Sequence, residues 1–433
     1  MVAAPLFVCE TPEVDGPVIR LRYRCGEHHF TETVTLPAVA PESDESTLRL
    51  LAIAAGLSYF KAFAPAIYEL DWDASYYEIA FAEQVSRHGL GEFAYVNDLA
   101  DVLTTPVIST SRKEPRPRHR THRWPTRRAL VAVGGGKDSI VTLEALRNAG
   151  IEVTLFSVNE YAPITATAEA SGLPYIKAKR TLDPALFELN ASGAPNGHVP
   201  VTAINSLIAL LTAHALGGIE TVVFSNEASS SYGNVIWHGH EINHQWSKSL
   251  EFERLIRESL EGEAPDYVSF LRPLTELRIM RHFAGLTKYH SVFTSCNRAF
   301  HLDPTLRTSW CADCDKCRFV FLTLAPFISR DALLAIFSGR DMFANPEQLS
   351  GFLELLGAEG TLKPFECVGE PDECRVALDI IREHTDWQGH PFLALDEISA
   401  IHAAPGDRER VFAFKEGAHC LDPDLEAVAR AVE

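Results

Sequence analysis

Basic residues are scarce in this chain: 39 Lys and Arg stand against 58 Asp and Glu, a formal net charge of −19. A surface this acidic repels phosphate backbones, which argues against a general DNA or RNA binder. Long hydrophobic runs are missing too. No stretch approaches the roughly 20 uninterrupted apolar residues that a membrane span needs. The N-terminal Met1-Val2-Ala3-Ala4-Pro5 carries no positive charge before its short apolar run, so no signal peptide is expected and the expected location is the cytoplasm. Nor is there an even set of cysteines: the count is nine, which, without a secretion signal, speaks against a disulfide framework. Apolar residues are present in ordinary amount, 46% of 433. That excludes wholesale disorder and allows two or three domains.

Four segments differ in texture. Residues 1–110 open with alternating runs, Pro17 to Tyr23 and Phe30 to Leu36, that read as half-exposed antiparallel strands. Helical patterns follow over Ser46 to Tyr59 and Tyr76 to His88, giving an α+β N-terminal domain. Residues 111–128 are basic and contain Pro115, Pro117 and Pro125. This reads as a solvated linker, or as a contact for an anionic partner. Residues 129–330 alternate short apolar strands with helices. The strands are Ala129 to Val133, Val153 to Val158, Tyr175 to Ala178 and Thr221 to Ser225, and a long apolar helix over Val201 to Leu216 precedes the last. This pattern predicts an α/β fold with a doubly wound parallel sheet. Residues 331–433 read as mainly helical and acidic, with little chemistry in view.

In such a sheet ligands bind beyond the carboxyl ends of the strands. The loop after the first strand is Gly134-Gly135-Gly136-Lys137-Asp138-Ser139. Glycines let backbone N–H groups approach an anion, and the following helix adds unpaired N–H groups and a positive dipole end. Lys137 supplies a point charge, Ser139 a hydroxyl, and Asp138 a partner for Mg²⁺. A Walker loop would need glycine at Val131 and Ser or Thr at Asp138. A dinucleotide fingerprint would need Gly or Ala at Ser139, although Glu160 lies near the right distance for a ribose contact. The loop instead resembles the Ser-Gly-Gly-x-Asp-Ser pattern of the PP-loop ATP pyrophosphatases, with Gly134 in place of the first serine. The resemblance implies that this loop holds the pyrophosphate of ATP while a substrate oxygen attacks the α-phosphorus.

Other residues carry two readings each. Asn159 and Asn226-Glu227 end the second and fourth strands, where they suit ATP or substrate contacts and equally suit caps or turns. His240-Glu241-Ile242-Asn243-His244 is a formal His-Glu-x-x-His. On a helix it would bind Zn²⁺ and make a zinc hydrolase; otherwise its imidazoles suit proton transfer or a structural role. Cys311, Cys314 and Cys317 have the spacing of a metal knuckle, with Cys296 as a fourth Zn²⁺ ligand or else a catalytic thiol. A comparable cluster occurs in the deazaguanine-nitrile synthases of the PP-loop superfamily.

Several segments together resemble one family, the ATP-dependent UDP-N-acetylmuramoyl-L-alanyl-L-glutamate epimerases of bacterial cell-wall synthesis. They are Leu57 to Ala62, Gly89 to Phe93, the Gly134 to Ser139 loop, Ser225 to Ser229, Asn243 to Lys248 and Trp310 to Cys317. The resemblance implies that ATP adenylates the terminal glutamate α-carboxylate of a UDP-muramoyl dipeptide. The α-carbon is then inverted, and AMP and pyrophosphate are released. Two proton-transfer groups are required, for which Glu227, His240, His244 and Cys296 are candidates. Lys61, Lys248 and the arginines before the first strand are candidates for binding the anionic substrate. Another adenylating PP-loop enzyme, an amide ligase or a thiolase, remains the alternative.

Overall fold

The structure is a computed structural model that describes residues 6–40, 44–114, 118–120, 126–300 and 309–433. An α/β architecture is built on one large mixed sheet of 11 strands, flanked by helices. Five of its strands are parallel neighbours, in the spatial order Asp266–Ser269, Thr221–Phe224, Arg128–Ala132, Glu152–Val158, Tyr175–Thr181. The chain runs outward in both directions from Arg128–Ala132. A topological switch point therefore lies between that strand and Thr221–Phe224, where a crevice opens at the carboxyl ends. Four of the five strands were legible as apolar runs; the fifth, Asp266–Ser269, has only four residues and opens on an acid.

The sheet does not stop at the third parallel strand. Residues 179–181 pair antiparallel with Thr33–Thr35 of the strand His28–Thr35, which continues into Val18–Cys25 and Leu6–Cys9. The N-terminal strands and the parallel strands thus share one hydrogen-bonded surface. Across this junction Arg180 donates to both carboxylate oxygens of fully buried Glu32, at 2.6 and 3.1 Å. A bidentate pair of this kind fixes register, because a slip by one residue would bury a lone charge.

Alternation along the parallel strands feeds two cores. Ala129, Val131, Val153, Leu155 and Val223 face one side, with the helix Lys137–Asn148 and the C-terminal helices. Leu130, Phe156, Val222 and Tyr267 face the other, with the helices Glu45–Phe60 and Val201–Leu216. Both helices are apolar around most of their circumference, as burial between a sheet and further helices requires. Residues 331–433 contain helices and no strand among the described residues.

In the basic stretch, Arg112–Lys113 and Arg118–Arg120 form short strands. Pro115, Pro117 and Pro125 lie outside the described residues. Among the described residues no helix is long and apolar enough to cross a membrane.

Candidate active site

The strand Arg128–Ala132 ends in the glycine loop, and the helix Lys137–Asn148 starts directly after it with Gly136 as N-cap. Gly135 has φ +76°, and a Cβ there would lie 3.1 Å from the backbone carbon of Pro163, so only glycine fits. Gly136 packs against Ser295, and the Gly135 carbonyl accepts from the Thr294 N–H at 3.0 Å. A side chain on Gly134 would meet nothing within 4 Å. Gly134, Gly136, Asp138 and Ser139 line a cavity of about 420 Å³ at the carboxyl ends of the strands. The Ser139 hydroxyl donates to the Gly136 carbonyl at 3.0 Å, closing the first turn. Lys137 does not itself line the cavity, although both of its carboxylate partners, Asp138 and Glu276, do. It is 1% exposed and pairs with Glu276 and with Asp138 Oδ1 at 2.5 Å. Burial works against its charge, but these two carboxylates hold the ammonium well above its ordinary range. Burial in turn raises the Glu276 carboxyl to about 7, against the pull of Lys137.

The neighbouring strand ends complete the cavity. Asn226 donates to Ser269 Oγ at 3.0 Å and Glu227 stands beside it. The Glu227 carboxylate accepts from the Ser229 hydroxyl at 3.0 Å and the Ser230 N–H at 3.1 Å, capping the short 3₁₀ turn Ala228–Ser231. Fully buried Arg272 donates to the Glu227 carbonyl at 2.7 Å and also binds the Lys248 carbonyl, fixing these two segments together. Asn159 does not line this cavity. With φ +63° it is the turn at its strand end: its N–H donates to Ala178 and its Oδ1 accepts from the Arg180 N–H at 2.9 Å. It faces an adjoining cavity of about 1010 Å³, which shares Val158, Tyr161 and Asn205 with the first.

The lining of the same cavity also carries cations and a thiol. Lys248 Nζ donates to Cys367 Sγ at 2.9 Å, and Lys316 Nζ donates to the Cys367 carbonyl. His244 stands beside Cys367 and hydrogen-bonds, through Nδ1, the carboxylate of Glu92. His198 lies beside it, ring centres 4.7 Å apart. Burial pushes the Cys367 thiol up, but the Lys248 ammonium, His244 and the Lys316 ammonium outweigh it and bring the thiol to about 6. Burial lowers His244, yet Cys367 and Glu92 raise it to about 9. The sign follows: below about 6 the thiolate is protonated, above about 9 the imidazolium is lost, and between them both charges stand together. Burial and the neighbouring His244 cation drop His198 to about 4, so it stays neutral. Burial opposes the charge of Lys248, but Cys367, Asp138 and Glu227 raise it, which ties this part of the lining electrostatically to the loop.

Two domain models cover most of the chain: the MurL N-terminal domain matches residues 4–270 and the MurL C-terminal domain residues 292–409. The chain belongs to the MurL family. It is 49% identical over 422 residues to a protein of a Micromonospora strain, covering 94% of this chain and 92% of the relative. A Salinispora tropica relative is 49% identical, covering 85% and 82% of the two chains. One from Xanthomonas oryzae pv. oryzae is 44% identical, covering 79% and 76%. Each of the three is named UDP-N-acetyl-alpha-D-muramoyl-L-alanyl-L-glutamate epimerase. No solved structure matches.

In this MurL chain the segments that carried the resemblance converge on one place. Lys61 Nζ does not reach the cavity; it donates to Asn196 Oδ1 at 2.5 Å and the Gly197 carbonyl at 2.8 Å, holding the loop that presents His198. Glu92 comes from the Gly89 to Phe93 segment, His244 and Lys248 both from Asn243 to Lys248, and Lys316 from Trp310 to Cys317. Arg127 and Arg128 sit at the opposite, amino end of their strand, their N–H groups donating to Glu220.

The His-Glu-x-x-His reading is corrected. His240–Ile242 is a strand paired with Val235–Trp237 around the positive-φ turn His238-Gly239, so His240 and His244 never share a helical face. The zinc-hydrolase alternative required that helix. His240 lies on this hairpin, off the cavity wall.

The cysteine segment folds into a cluster. Cys296, Cys311, Cys314 and Cys317 bring their sulfurs together, at 3.9 Å for 296–314, 3.6 Å for 311–317 and 3.5 Å for 314–317. Cys296 is fully buried within it, while its neighbours Ser295 and Asn297 line the cavity.

The residues missed by sequence reasoning are Cys367, His198, Lys316 and Glu92. Glu92 and Lys316 stood inside quoted segments. Cys367 and His198 had no motif around them; only the fold brings them in.

Proposed function

We propose that this protein is an ATP-dependent epimerase acting on UDP-N-acetylmuramoyl-L-alanyl-L-glutamate in peptidoglycan synthesis. It adenylates the terminal glutamate α-carboxylate and inverts the α-carbon to D-glutamate, releasing AMP and pyrophosphate. The observation that carries this reading is one cavity lined both by a glycine loop with its helix start and by Lys248 and Cys367, with His244 beside the thiol. The names of the relatives supply the substrate.

The α-proton of a free carboxylate resists removal, because the resulting dianion has nowhere to place its charge. As an acyl-adenylate the carboxyl loses that charge and its carbonyl becomes an electron sink. A base then removes the proton, an acid returns one on the other face, and water attacks the acyl carbon to free AMP. The loop N–H groups and the dipole of the helix Lys137–Asn148 favour an anionic diphosphate at the strand ends. This supports a PP-loop mode of ATP binding. The cavity-facing carboxylate of Asp138 would hold Mg²⁺, which when bound neutralises phosphate charge. In a protein of net charge −19, Lys248 and Lys316 supply the local cations an anionic substrate needs.

The four-thiol cluster fits Zn²⁺. Tetrahedral thiolates about 2.3 Å from zinc lie about 3.8 Å apart, near the separations here. Its burial and its place behind the Ser295 loop support a bracing role, not sulfur transfer.

The test is incubation with ATP, Mg²⁺ and the muramoyl-L-Ala-L-Glu nucleotide in deuterated water. Deuterium at an inverted glutamate α-carbon, with AMP formed, is expected. AMP without inversion, or inversion without ATP, contradicts the proposal.

A further inference from the structure

Cys367 is a thiol with the surroundings of a working acid–base group, in a region that sequence reasoning left without chemistry. Of the nine cysteines, Cys9 and Cys374 are shut in the core and pushed up by burial, and four form the metal-type cluster. Cys25 and Cys420 are also raised by burial. Cys367 alone lines the cavity that holds the glycine loop.

Its segment is pinned from several elements. The adjacent Glu366 accepts two hydrogen bonds from Asn297 Nδ2, at 3.0 and 2.9 Å, and the Pro364 carbonyl accepts from Asn234 at 3.1 Å. Phe365 stacks on Tyr95 at 5.4 Å. The sulfur therefore has a set position facing the cavity, with Lys248 at 2.9 Å and His244 behind it, itself oriented by Glu92. A base held by an imidazole that is in turn held by a carboxylate is the arrangement that keeps a thiolate ready at neutral pH. A merely structural thiol needs no such company.

We propose that Cys367 is a catalytic residue: its thiolate removes the α-proton of the activated glutamate, with His244, Glu92 and Lys248 positioning it. The inference rests on the epimerase reading. In the step, the Cα–H bond breaks and the proton goes to Sγ, giving a thiol. The electron pair moves into the acyl-adenylate carbonyl as an enolate. Solvent water delivers a proton to the opposite face, forming the new Cα–H bond, and the hydroxide left takes the proton back from the Cys367 thiol. Charge and protons balance over the cycle.

The test compares wild-type protein with Cys367→Ala and Cys367→Ser in deuterated water, with ATP, Mg²⁺ and the muramoyl-L-Ala-L-Glu nucleotide. AMP formation and deuterium entry at Cα are measured separately. Deuterium entry should fall by about 100-fold or more in Cys367→Ala, the usual worth of a positioned base, while AMP formation falls far less. The pH dependence of deuterium entry in the wild type should rise through about 6 and decline through about 9. The groups facing Cys367 and His244 in that range are Lys248, Lys316, Glu92 and neutral His198. Deuterium entry within a few-fold of wild type in Cys367→Ala overturns the assignment, as does equal loss of both activities in a variant of normal melting behaviour. Should the variants not fold, carboxymethylation of Cys367 in the native protein decides: lost deuterium entry with AMP formation retained supports it, and retained entry overturns it. A wild type that forms neither AMP nor labelled product would fail the epimerase reading itself, a distinguishable result.

Discussion

Gly135→Ala is expected to cut AMP formation by about 100-fold, the scale that follows from displacing a catalytic element by about 1 Å. Two effects add at this position. The φ of +76° is one that an L side chain adopts at a cost of roughly 1–3 kcal/mol. The new Cβ would also lie 3.1 and 3.2 Å from the Pro163 carbonyl carbon and oxygen, backbone atoms that cannot swing aside. The loop must therefore move, and with it the N–H groups at the helix start. Gly134→Ala is the control: its Cβ meets nothing within 4 Å, so AMP formation should stay within about 10-fold, the residual loss reflecting crowding of the anion. Steady-state AMP release with both variants, alongside their melting curves, checks the pair. Equal loss in both would mean that the loop acts by some means other than backbone shape.

The second large effect is expected at the thiol cluster. With four sulfurs spaced for one tetrahedral ion, the purified protein should contain about one zinc per chain, and Cys311→Ser should contain almost none. Losing a structural zinc site removes a large part of the free energy that holds its loops, so the melting midpoint should fall by about 5 °C or more. Cys296 sits two residues from Thr294, which donates to Gly135, so the same variant should also weaken AMP formation. Elemental analysis and a thermal melt suffice. Wild-type protein with no zinc and four freely titrating thiols would contradict the metal reading.

Legibility in the sequence followed the range of the interaction. Apolar runs such as Ala129 to Val133 announce a buried strand because neighbours two apart share a face, and the glycine loop that follows is local chemistry written in consecutive residues. The three-cysteine spacing is equally local, although Cys296 joins it only through the fold. The His240 to His244 pattern misled because spacing alone does not make a helix. His238-Gly239, both at positive φ, turn the chain into a hairpin, and of the two only the glycine is a residue that such a turn favours. The junction of residues 179–181 with Thr33–Thr35 joins strands about 150 positions apart, which no window of sequence could pair. Cys367 is the extreme case. It lies 119 positions from Lys248, in a stretch with no periodicity of its own.

The central claim, activation of the glutamate carboxylate by adenylation in this cavity, is tested most directly by oxygen tracing. The muramoyl-L-Ala-L-Glu nucleotide is prepared with oxygen-18 in the glutamate α-carboxylate and turned over with ATP. If that carboxylate attacks the α-phosphorus and water later attacks the acyl carbon, the released AMP carries one heavy oxygen. Label appearing in inorganic phosphate alongside ADP, or AMP free of label while D-glutamate accumulates, would contradict the account.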